Sequence, residues 1–397
     1  MNIAFVLPYL ADRFGGPVAV VKNAGRTLTA MGHNVSYWAT ANKNDQEELA
    51  SMDCAHIYDV VWPRSWHRSR DLARGLSAEI TSVDILHISD MWLHPTYAAS
   101  RIANANHTPY ILRPAGGLQP WQLSQKRLKK KIYLALLARR ALDKAQCLHA
   151  VTPYEAEHLR MAGYRAPITI IPNGVNMVEN TKSPDGVEAE NRWPVLKSRP
   201  VVLFMSRLSP EKGLDRLIPA WAQVIKRGNY SDALLVLAGP DDRGYHAVVE
   251  ALVEQHALQS HVLFTGMVRG REKQALISRA DLYTLPSHGE GFSMSILENL
   301  AAGKPVLITP GCHFPQVVEA KAGLCVPPEP GALAEALCEF LEMSQSERDA
   351  MGRRGVNLVK KNYTWDRIVE KLLTVYDCIL SGKSIPLHPE PMELNAK

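Results

Sequence analysis

The sequence predicts two doubly wound α/β domains in tandem. Short apolar or β-branched runs alternate with longer helical patterns along almost the whole chain, as parallel sheets with crossover helices require. A polar stretch at 176–200, rich in Pro, Asn and Ser, interrupts this alternation once. A length of 397 residues also suits two domains better than one.

The predicted elements follow the chain in order. In the first half we expect strands at "IAFVL", "NVSYW", "ILHIS", "PYILR", "CLHAV" and "ITIIP". In the second half we expect strands at "VVLFM", "ALLVLAG", "HVLFTG", "ADLYTLP", "PVLIT" and "GLCV". Residues 17–32 predict a helix, because Pro17 suits its first position and Gly32 its end.

These elements divide the chain into five parts. We expect an N-terminal Rossmann-like domain at 1–175, a linker at 176–200 and a C-terminal Rossmann-like domain at 201–362. A last helix at 363–382 is expected to cross back to the first domain, before a frayed tail at 383–397. Ligands of open α/β sheets bind at the carboxyl ends of the strands, beside the point where strand order reverses.

Composition excludes several other classes of protein. With 46% hydrophobic and 21% charged residues, the chain is typical of globular enzymes. Pro8 and Asp12 interrupt the first apolar run, so we expect no signal peptide or membrane span and a cytoplasmic protein. The six cysteines are scattered and no histidines cluster, so neither a disulfide framework nor a metal site is indicated.

The net charge of +5 is concentrated in one segment. Residues 125–145 carry eight Lys or Arg against one Asp, a local charge of 8 − 1 = +7. A nucleic-acid protein would more often be basic over a whole face, so we expect no nucleic-acid partner. A basic helix that also carries Ile132 and Leu136 favours contact with an anionic membrane surface. The alternative is a helix that packs its apolar side on its own sheet.

The segment "EGFSMSILE" at 290–298 sets two glutamates eight positions apart. If a helix begins near Ser293, Glu290 lies in the preceding loop and Glu298 more than one turn inside the helix. The two carboxylates then flank a helix N-terminus, where backbone N–H groups favour an anion.

Two further segments contain groups that suit phosphates. After the first strand, Gly15 and Gly16 allow a tight turn into a helix whose free N–H groups point back at the loop. After the first strand of the second domain, Arg207 and Lys212 offer two cations to a diphosphate. The structural alternative for the glycine segment is a turn that serves only packing. For Arg207 and Lys212 it is a solvated loop with an ion pair to Glu211.

Together the motifs resemble a known enzyme family. The segments "SRLSPEKGLDRLI", "LAGP", "VLFTGMV", "ADLYTLPSHGEGFSMSILENLAAGKPVLIT" and "ITIIPNGVN" look like those of the retaining GT-B glycosyltransferases of family 4, also called group 1 glycosyltransferases. The resemblance covers most of residues 1–380 and is strongest from 200 to 330. It implies two Rossmann-like domains facing a central cleft.

The resemblance also implies roles for particular residues. Glu290 would face the donor sugar, Glu298 would bind the ribose hydroxyls, and Arg207 and Lys212 would hold the diphosphate. The backbone N–H groups that would meet the phosphates belong to Gly291, Phe292, Ser293 and Met294. Gly15 and Gly16 would approach the donor from the other domain.

The implied chemistry is a front-face displacement that retains the anomeric configuration. Fixed cations and N–H donors would stabilise the departing diphosphate, and a carboxylate would stabilise an oxocarbenium-like sugar. The chain has no Asp-x-Asp triplet, which fits a site where protein cations replace a metal. We therefore expect no cofactor and no metal, with a nucleotide diphosphate sugar as the substrate.

The first domain offers candidate contacts with the donor sugar or the acceptor. Many relatives have a histidine after the strand that here reads "PYILRPAGGLQPW", whereas this chain has Arg113. Arg113 could grip an anionic group or could pair within its own domain. The other candidates are Asp90, Trp92, His94 and Trp121, although buried aromatic residues more often belong to a core.

The sequence thus predicts a hexosyltransferase-type glycosyltransferase acting on a lipid-linked or other glycan. Bacterial cell-surface polysaccharide synthesis (lipopolysaccharide, capsule or exopolysaccharide) is the expected setting, at the inner face of the cell membrane. Two alternatives remain at this stage, a sugar-nucleotide epimerase with the same fold and a non-catalytic sugar-nucleotide-binding subunit.

Overall fold

A computed structural model describes residues 1–50, 52, 54–119, 123, 127–177, 185–228 and 230–386. It divides into two compact units. The first unit comprises Met1–Gly174 and the segment that starts at Trp365, and the second unit comprises Val175–Thr364.

The strands of the described residues all pair in parallel. In chain order they are β1 Asn2–Val6, β2 Asn34–Ala41, β3 Ala55–Asp59, β4 Ile85–Ser89, β5 Tyr110–Arg113, β6 Cys147–Ala150, β7 Ile168–Ile170, β8 Val201–Met205, β9 Leu234–Ala238, β10 Val262–Gly266, β11 Leu282–Leu285, β12 Val306–Ile308 and β13 Gly323–Cys325.

The α-helices supply the crossovers between these strands. They are α1 Gly16–Ala30, α2 Lys43–Leu49, α3 Arg70–Glu79, α4 His94–Asn106, α5 Arg127–Tyr133, α6 Arg139–Lys144, α7 Pro153–Met161, α8 Gly186–Arg192, α9 Leu214–Lys226, α10 Tyr245–Gln255, α11 Gly270–Arg279, α12 Met294–Ala301, α13 Gln316–Glu319, α14 Pro330–Glu342, α15 Gln345–Asn362 and α16 Trp365–Leu380. A π-helical turn, Leu134–Ala138, joins α5 to α6.

Each unit contains one doubly wound sheet. The first sheet has the order β3-β2-β1-β4-β5-β6-β7, and the second has the order β10-β9-β8-β11-β12-β13. Strand order therefore reverses between β1 and β4 in the first unit and between β8 and β11 in the second. The predicted pair of doubly wound α/β folds is confirmed, and both reversal points lie where this fold class binds ligands.

The four central strands of the second sheet, β8, β9, β11 and β12, are fully buried. Every residue of β8 and β9 is buried, as expected for apolar strands of an all-parallel sheet. Trp221 of α9 is fully buried against this sheet. In the first unit α16 packs on α1, and its Tyr376 hydroxyl lies 2.6 Å from His87 Nδ1 of β4.

Part of the segment interpreted as a linker is ordered secondary structure. Residues 178–184 lie outside the described residues, but α8 begins at Gly186, and its Ala189 is fully buried. The helix packs on α11, and Arg279 of α11 donates a 2.7 Å hydrogen bond to Glu190. The polar composition did not indicate this short helix, because its stability comes from tertiary contacts and not from a periodic apolar face.

Candidate active site

The reversal point of the second unit brings two loops together. The chain leaves β8 at Met205 and runs through Arg207 into the 3-10 turn Pro210–Lys212. The chain leaves β11 at Leu285 and runs through Glu290 to the start of α12. Because β8 and β11 are adjacent parallel strands, both loops emerge at the same edge of the sheet.

Lys212 and Glu290 form a buried ion pair across this point. Lys212 Nζ lies 2.7 Å from Glu290 Oε1, and the two side chains are only 10% and 9% exposed. A buried ammonium and carboxylate this close stabilise each other, and removing either one leaves an uncompensated charge. The structure therefore brings together two of the three residues predicted to act in catalysis.

Backbone contacts fix the two loops against each other. Gly213 ends the 3-10 turn with φ +72°, and a Cβ there would lie 2.0 Å from the carbonyl oxygen of Pro286. The backbone N–H of His288 and the hydroxyl of Ser287 each donate a 2.8 Å bond to the carbonyl of Glu211. Position 213 therefore requires glycine both for conformation and for space.

A third loop, after β12, supports Glu290 from the other side. The Glu290 N–H donates a 2.8 Å bond to the carbonyl of Gly311. The Thr309 hydroxyl donates a 2.6 Å bond to the carbonyl of Ser287. Contacts among the loops that follow three neighbouring strands thus fix the backbone position of Glu290.

Arg207, the third predicted catalytic residue, lies at the more exposed end of the same edge. Its Nη1 lies 3.2 Å from Asp242 Oδ2 and its Nη2 lies 3.3 Å from Glu211 Oε1. The side chain is 56% exposed, so these pairs are weak and can exchange for a stronger anion.

The helix expected to begin near Ser293 does so. Ser293 is the N-cap of α12, and its hydroxyl lies 3.0 Å from the Ser295 hydroxyl and makes no capping bond. The first N–H groups of a helix have no intrahelical acceptor. The predicted donors Gly291, Phe292, Ser293 and Met294 all lie in the turn leading into this N-terminus or at its first residue. Such an N-terminus attracts anions.

Glu298 does not join Glu290. It pairs with Lys273 of α11, whose Nζ lies 2.5 Å from Glu298 Oε1, and both side chains are partly exposed. The sequence did not indicate this partner, because Lys273 lies 25 positions away on a different helix. The two glutamates therefore belong to two separate ion pairs.

The reversal point of the first unit contains the predicted glycine turn. Gly15 has φ +70°, and α1 begins at Gly16. Lys22, further along α1, anchors the preceding turn because its Nζ lies 2.6 Å from Asp12 Oδ1. Arg13 in that turn donates 2.6 and 2.9 Å bonds to Asp45 of α2. These ion pairs hold the turn in front of the N-terminus of α1.

Asp90 lies across the same reversal point, directly after β4. It has φ +75°, an uncommon conformation for a residue other than glycine. Its Oδ1 accepts the N–H groups of Met91 and Trp92, and burial raises the pKa of its carboxyl group. Strained backbone of this kind concentrates at functional sites.

Trp92 packs against the basic segment. Its Nε1 donates a 3.2 Å bond to the carbonyl of Gly117, and its ring centroid lies 5.6 Å from that of Tyr133. Lys130 Nζ lies over the Trp92 ring, 5.0 Å from its centroid. Trp121, the other predicted stacking residue, lies outside the described residues.

His94 begins α4 and belongs to a small aromatic cluster. Its ring lies 5.1 Å from Trp66 in an edge-to-face arrangement, and Trp66 also contacts Tyr97 at 5.8 Å. Burial lowers the pKa of His94, so the imidazole is neutral at pH 7. The cluster lies near the end of β4, beside the candidate acceptor residues.

Arg113 is buried inside the first unit, with 5% of its surface exposed. Its Nη2 donates a 2.7 Å bond to Asn173 Oδ1. Burial lowers the pKa of Arg113 to about 10, partly offset by the charge of Glu155, so the guanidinium stays charged at pH 7. This geometry favours the internal pairing that the sequence left open.

Two family models match the chain on either side of the boundary between its units. Residues 188–358 match "Glycosyl transferases group 1", and residues 15–174 match "Glycosyl transferase 4-like domain". A GDP-mannose-dependent alpha-(1-6)-phosphatidylinositol dimannoside mannosyltransferase of Mycobacterium tuberculosis is 23% identical over 385 residues, which is 94% of this chain and 95% of the relative. An uncharacterized glycosyltransferase of Methanocaldococcus jannaschii is 24% identical over 95% of this chain and 98% of the relative.

Solved structures share the fold at low sequence identity. The HepE protein of Anabaena, crystallised with UDP and glucose, has a TM-score of 0.76 at 18% identity and covers 94% of this chain and 98% of its own. WaaG, a glycosyltransferase involved in lipopolysaccharide biosynthesis, has a TM-score of 0.70 at 18% identity, over 95% and 99% of the two chains. The chain therefore belongs to the group 1 glycosyl transferases and is a glycosyltransferase with the GT-B fold.

Proposed function

We propose that this enzyme transfers a sugar from a nucleotide diphosphate sugar to a hydroxyl of a glycan or lipid-linked acceptor, with retention of configuration. The observation that carries the proposal is the buried Lys212–Glu290 pair at the reversal point of the second unit. Relatives whose names specify a GDP-mannose donor, and HepE crystallised with UDP and glucose, support a donor of this class.

Each group at this edge has a proposed part in binding the donor. Arg207 and Lys212 hold the diphosphate, because arginine can grip two oxygens and lysine supplies a point charge. The N-terminus of α12 presents backbone N–H groups to the phosphates. Glu290 faces the sugar, and Glu298 binds the ribose hydroxyls beside Lys273.

The proposed reaction breaks the bond between the anomeric carbon and the phosphate oxygen. The acceptor oxygen forms the new bond on the same face, and its proton passes to the leaving phosphate. Lys212 and Arg207 stabilise the charge that develops on the diphosphate, and the Glu290 carboxylate stabilises the oxocarbenium-like sugar. Glu290 is not a nucleophile in this scheme.

We further propose that these cations serve in place of a metal ion and that the enzyme needs no cofactor. Among the described residues, no group of three or more His, Cys, Asp or Glu side chains is arranged to hold a metal. Treatment with EDTA should leave the rate unchanged, and a rate that falls with EDTA and returns with Mg²⁺ or Mn²⁺ would contradict the proposal.

The acceptor is proposed to be a lipid-linked glycan of a bacterial cell-surface polysaccharide, such as lipopolysaccharide, capsule or exopolysaccharide. The mannosyltransferases of Mycobacterium tuberculosis named for phosphatidylinositol mannosides and the fold shared with WaaG support this setting. Asp90, Trp92 and His94 at the end of β4 are the proposed acceptor contacts, since carbohydrates stack on aromatic rings while carboxylates bind their hydroxyls.

The basic segment is proposed to dock on an anionic bilayer at the inner face of the cell membrane. Among the described residues, no helix is apolar over a sufficient length to span a membrane. Three large apolar side chains spaced along one side of the segment are exposed, Leu128 at 73%, Ile132 at 52% and Leu136 at 76%. Exposed cations surround them, including Lys129 and Lys131. An apolar stripe among cations suits an anionic leaflet, while other apolar residues of the segment pack in the core of the first unit.

Vesicle co-sedimentation tests the docking. The protein should bind vesicles rich in phosphatidylglycerol, and binding should weaken with salt and in Lys129→Gln/Lys131→Gln and Leu128→Ser/Leu136→Ser. Lys360→Gln/Lys361→Gln, which removes two exposed cations of α15, is the matched control and should bind as the wild type does. Equal binding to phosphatidylcholine vesicles would contradict the electrostatic contribution.

The catalytic proposal is tested by release of UDP, GDP or ADP from a panel of nucleotide sugars. We expect turnover with one nucleotide class and loss of turnover in Glu290→Ala. NMR of the product should show the donor's anomeric configuration, whereas an inverted product would contradict the front-face displacement. Tight donor binding without turnover for any donor or acceptor would support a non-catalytic binder.

A further inference from the structure

A small cavity of about 20 Å³ lies inside the first unit, beneath the carboxyl ends of its central strands. Ser89 ends β4 and Arg113 ends β5, and the two residues are paired in the sheet register. Trp365, the first residue of α16, also lines the cavity, as do Ile368 and Leu372 of the same helix. The cavity therefore lies where α16 packs on the sheet of this unit.

Three hydrogen-bond donors of the lining residues have no partner among the described residues. They are Ser89 Oγ, Arg113 Nε and Trp365 Nε1. Ser89, Arg113 and Trp365 are 7%, 5% and 4% exposed, so bulk water does not satisfy these groups. Buried polar groups without partners are rare in folded proteins, and three around one cavity indicate a bound species.

The cavity also has an uncompensated positive charge. Among the described residues, no carboxylate lies within 4 Å of the Arg113 guanidinium, although the protein buries it. Glu155 is the acidic residue whose charge raises the pKa of Arg113. Its carboxylate already accepts the N–H groups of Gly116 at 2.6 Å and Val151 at 2.8 Å. His87 and His149 contribute no charge, because burial lowers both of their pKa values.

A water molecule satisfies the hydrogen bonds of this cavity but not its charge. Water can accept from Arg113 Nε and Trp365 Nε1 and donate to Ser89 Oγ, yet it leaves the buried guanidinium without a contacting anion. Other polar groups of the lining are already engaged: His149 Nε2 donates to the Ile171 carbonyl at 2.6 Å, and Asn173 Oδ1 accepts from Arg113. An anion accepts all three donors and balances the guanidinium.

We propose that this cavity binds one chloride-sized monovalent anion through Arg113 Nε, Ser89 Oγ and Trp365 Nε1. The cavity volume of about 20 Å³ suits a single small ion. The anion links α16 to β4 and β5, so it stabilises the attachment of this helix to the first unit. An ion that binds only the folded chain raises the unfolding temperature, and above Kd the rise grows with the logarithm of the ion concentration.

Thermal unfolding in sodium chloride and in sodium gluconate at matched ionic strength tests the proposal. The wild type should show a chloride-dependent rise of at least about 2 °C relative to gluconate. Trp365→Phe and Ser89→Ala should lose most of this difference, whatever their own unfolding temperatures. Trp62→Phe, at a tryptophan that is 80% exposed in the same unit, is the matched control and should keep it.

Crystals grown in sodium bromide locate the ion directly. We expect an anomalous peak within hydrogen-bond distance of Arg113 Nε and Trp365 Nε1. A chloride response that is absent from the wild type, or fully retained in Trp365→Phe, overturns the proposal. So does a cavity that holds only water in bromide crystals.

Discussion

Lys212 Nζ lies 2.7 Å from Glu290 Oε1, although the two residues are 78 positions apart in the chain. Lys212 follows β8 and Glu290 follows β11, and these neighbouring strands flank the point where strand order reverses. The sheet topology thus places a cation for a diphosphate directly beside a carboxylate for a sugar. This pairing is the physical basis of the proposed donor site.

Replacing Lys212 tests the role of its charge in the reaction. Lys212→Met should lower kcat/KM roughly 10² to 10³-fold, because a preorganised cation no longer meets the charge developing on the diphosphate. Steady-state release of the nucleotide diphosphate measures the effect. Lys226→Met, at an exposed lysine of α9, is the control and should leave kcat/KM unchanged. Equal rates for Lys212→Met and the wild type would exclude Lys212 from the donor site.

The Lys273–Glu298 pair leads to a different kinetic expectation. If Glu298 binds ribose hydroxyls far from the reacting bond, its contact is equally strong in the ground and transition states. Glu298→Gln should then raise KM for the donor with little change in kcat. Lys273→Met should do the same more weakly, since it only orients the carboxylate at 2.5 Å. A fall in kcat at unchanged KM would instead place Glu298 at the reacting centre.

Gly213 is predicted to be irreplaceable. An alanine would adopt φ +72° only with strain, and its Cβ would lie 2.0 Å from the carbonyl oxygen of Pro286. Gly213→Ala should therefore destabilise the enzyme by more than about 2 kcal/mol and displace Lys212 from Glu290. Urea unfolding and the reaction rate measure the two effects. Gly331→Ala, where a Cβ meets no atom within 4 Å, should cost nothing in either assay.

Buried histidines of the first unit predict that acid destabilises the enzyme. Burial lowers the pKa of His149 to about 3, well below that of the same side chain in the unfolded chain. The unfolded state therefore takes up a proton first as pH falls. Stability is fully present above about pH 6.5 and is lost at up to about 1.4 kcal/mol per pH unit for this histidine as pH falls towards 3.

Urea unfolding between pH 7.5 and pH 5 measures this loss. His149→Gln should flatten the acid side of the profile, because it removes the titrating group while an amide can still meet the carbonyl of Ile171. His107→Asn, at an exposed histidine, should keep the wild-type slope. Identical slopes for His149→Gln and the wild type would show that this histidine does not set the acid stability.

Much of the fold could be predicted from the sequence because its strands are short apolar runs. Each of the twelve predicted strands has a counterpart in the structure, whereas β3 was missed. Its residues Ala55–Asp59 are half-buried and include His56 and an exposed Asp59, as befits a strand at the edge of a sheet. The helix α8 was missed for a similar reason, since neither segment has a continuous apolar face.

Only part of the candidate site could be predicted from the sequence. Glu290, Arg207 and Lys212 follow predicted strands, so a common sheet edge could be expected. Lys273 carries no local signal, because its partner Glu298 lies 25 positions away on a different helix. Likewise, nothing near Trp92 in the sequence indicates that Lys130 and Tyr133 of the basic segment contact its ring.

Calorimetric titration with UDP, GDP and ADP tests the central claim most directly. We predict that one of these nucleotides binds the wild type, and that Lys212→Met weakens its binding at least about tenfold, the equivalent of 1.4 kcal/mol. Lys226→Met should bind that nucleotide as tightly as the wild type. Unchanged binding to Lys212→Met would contradict the assignment of the Lys212–Glu290 edge as the donor site.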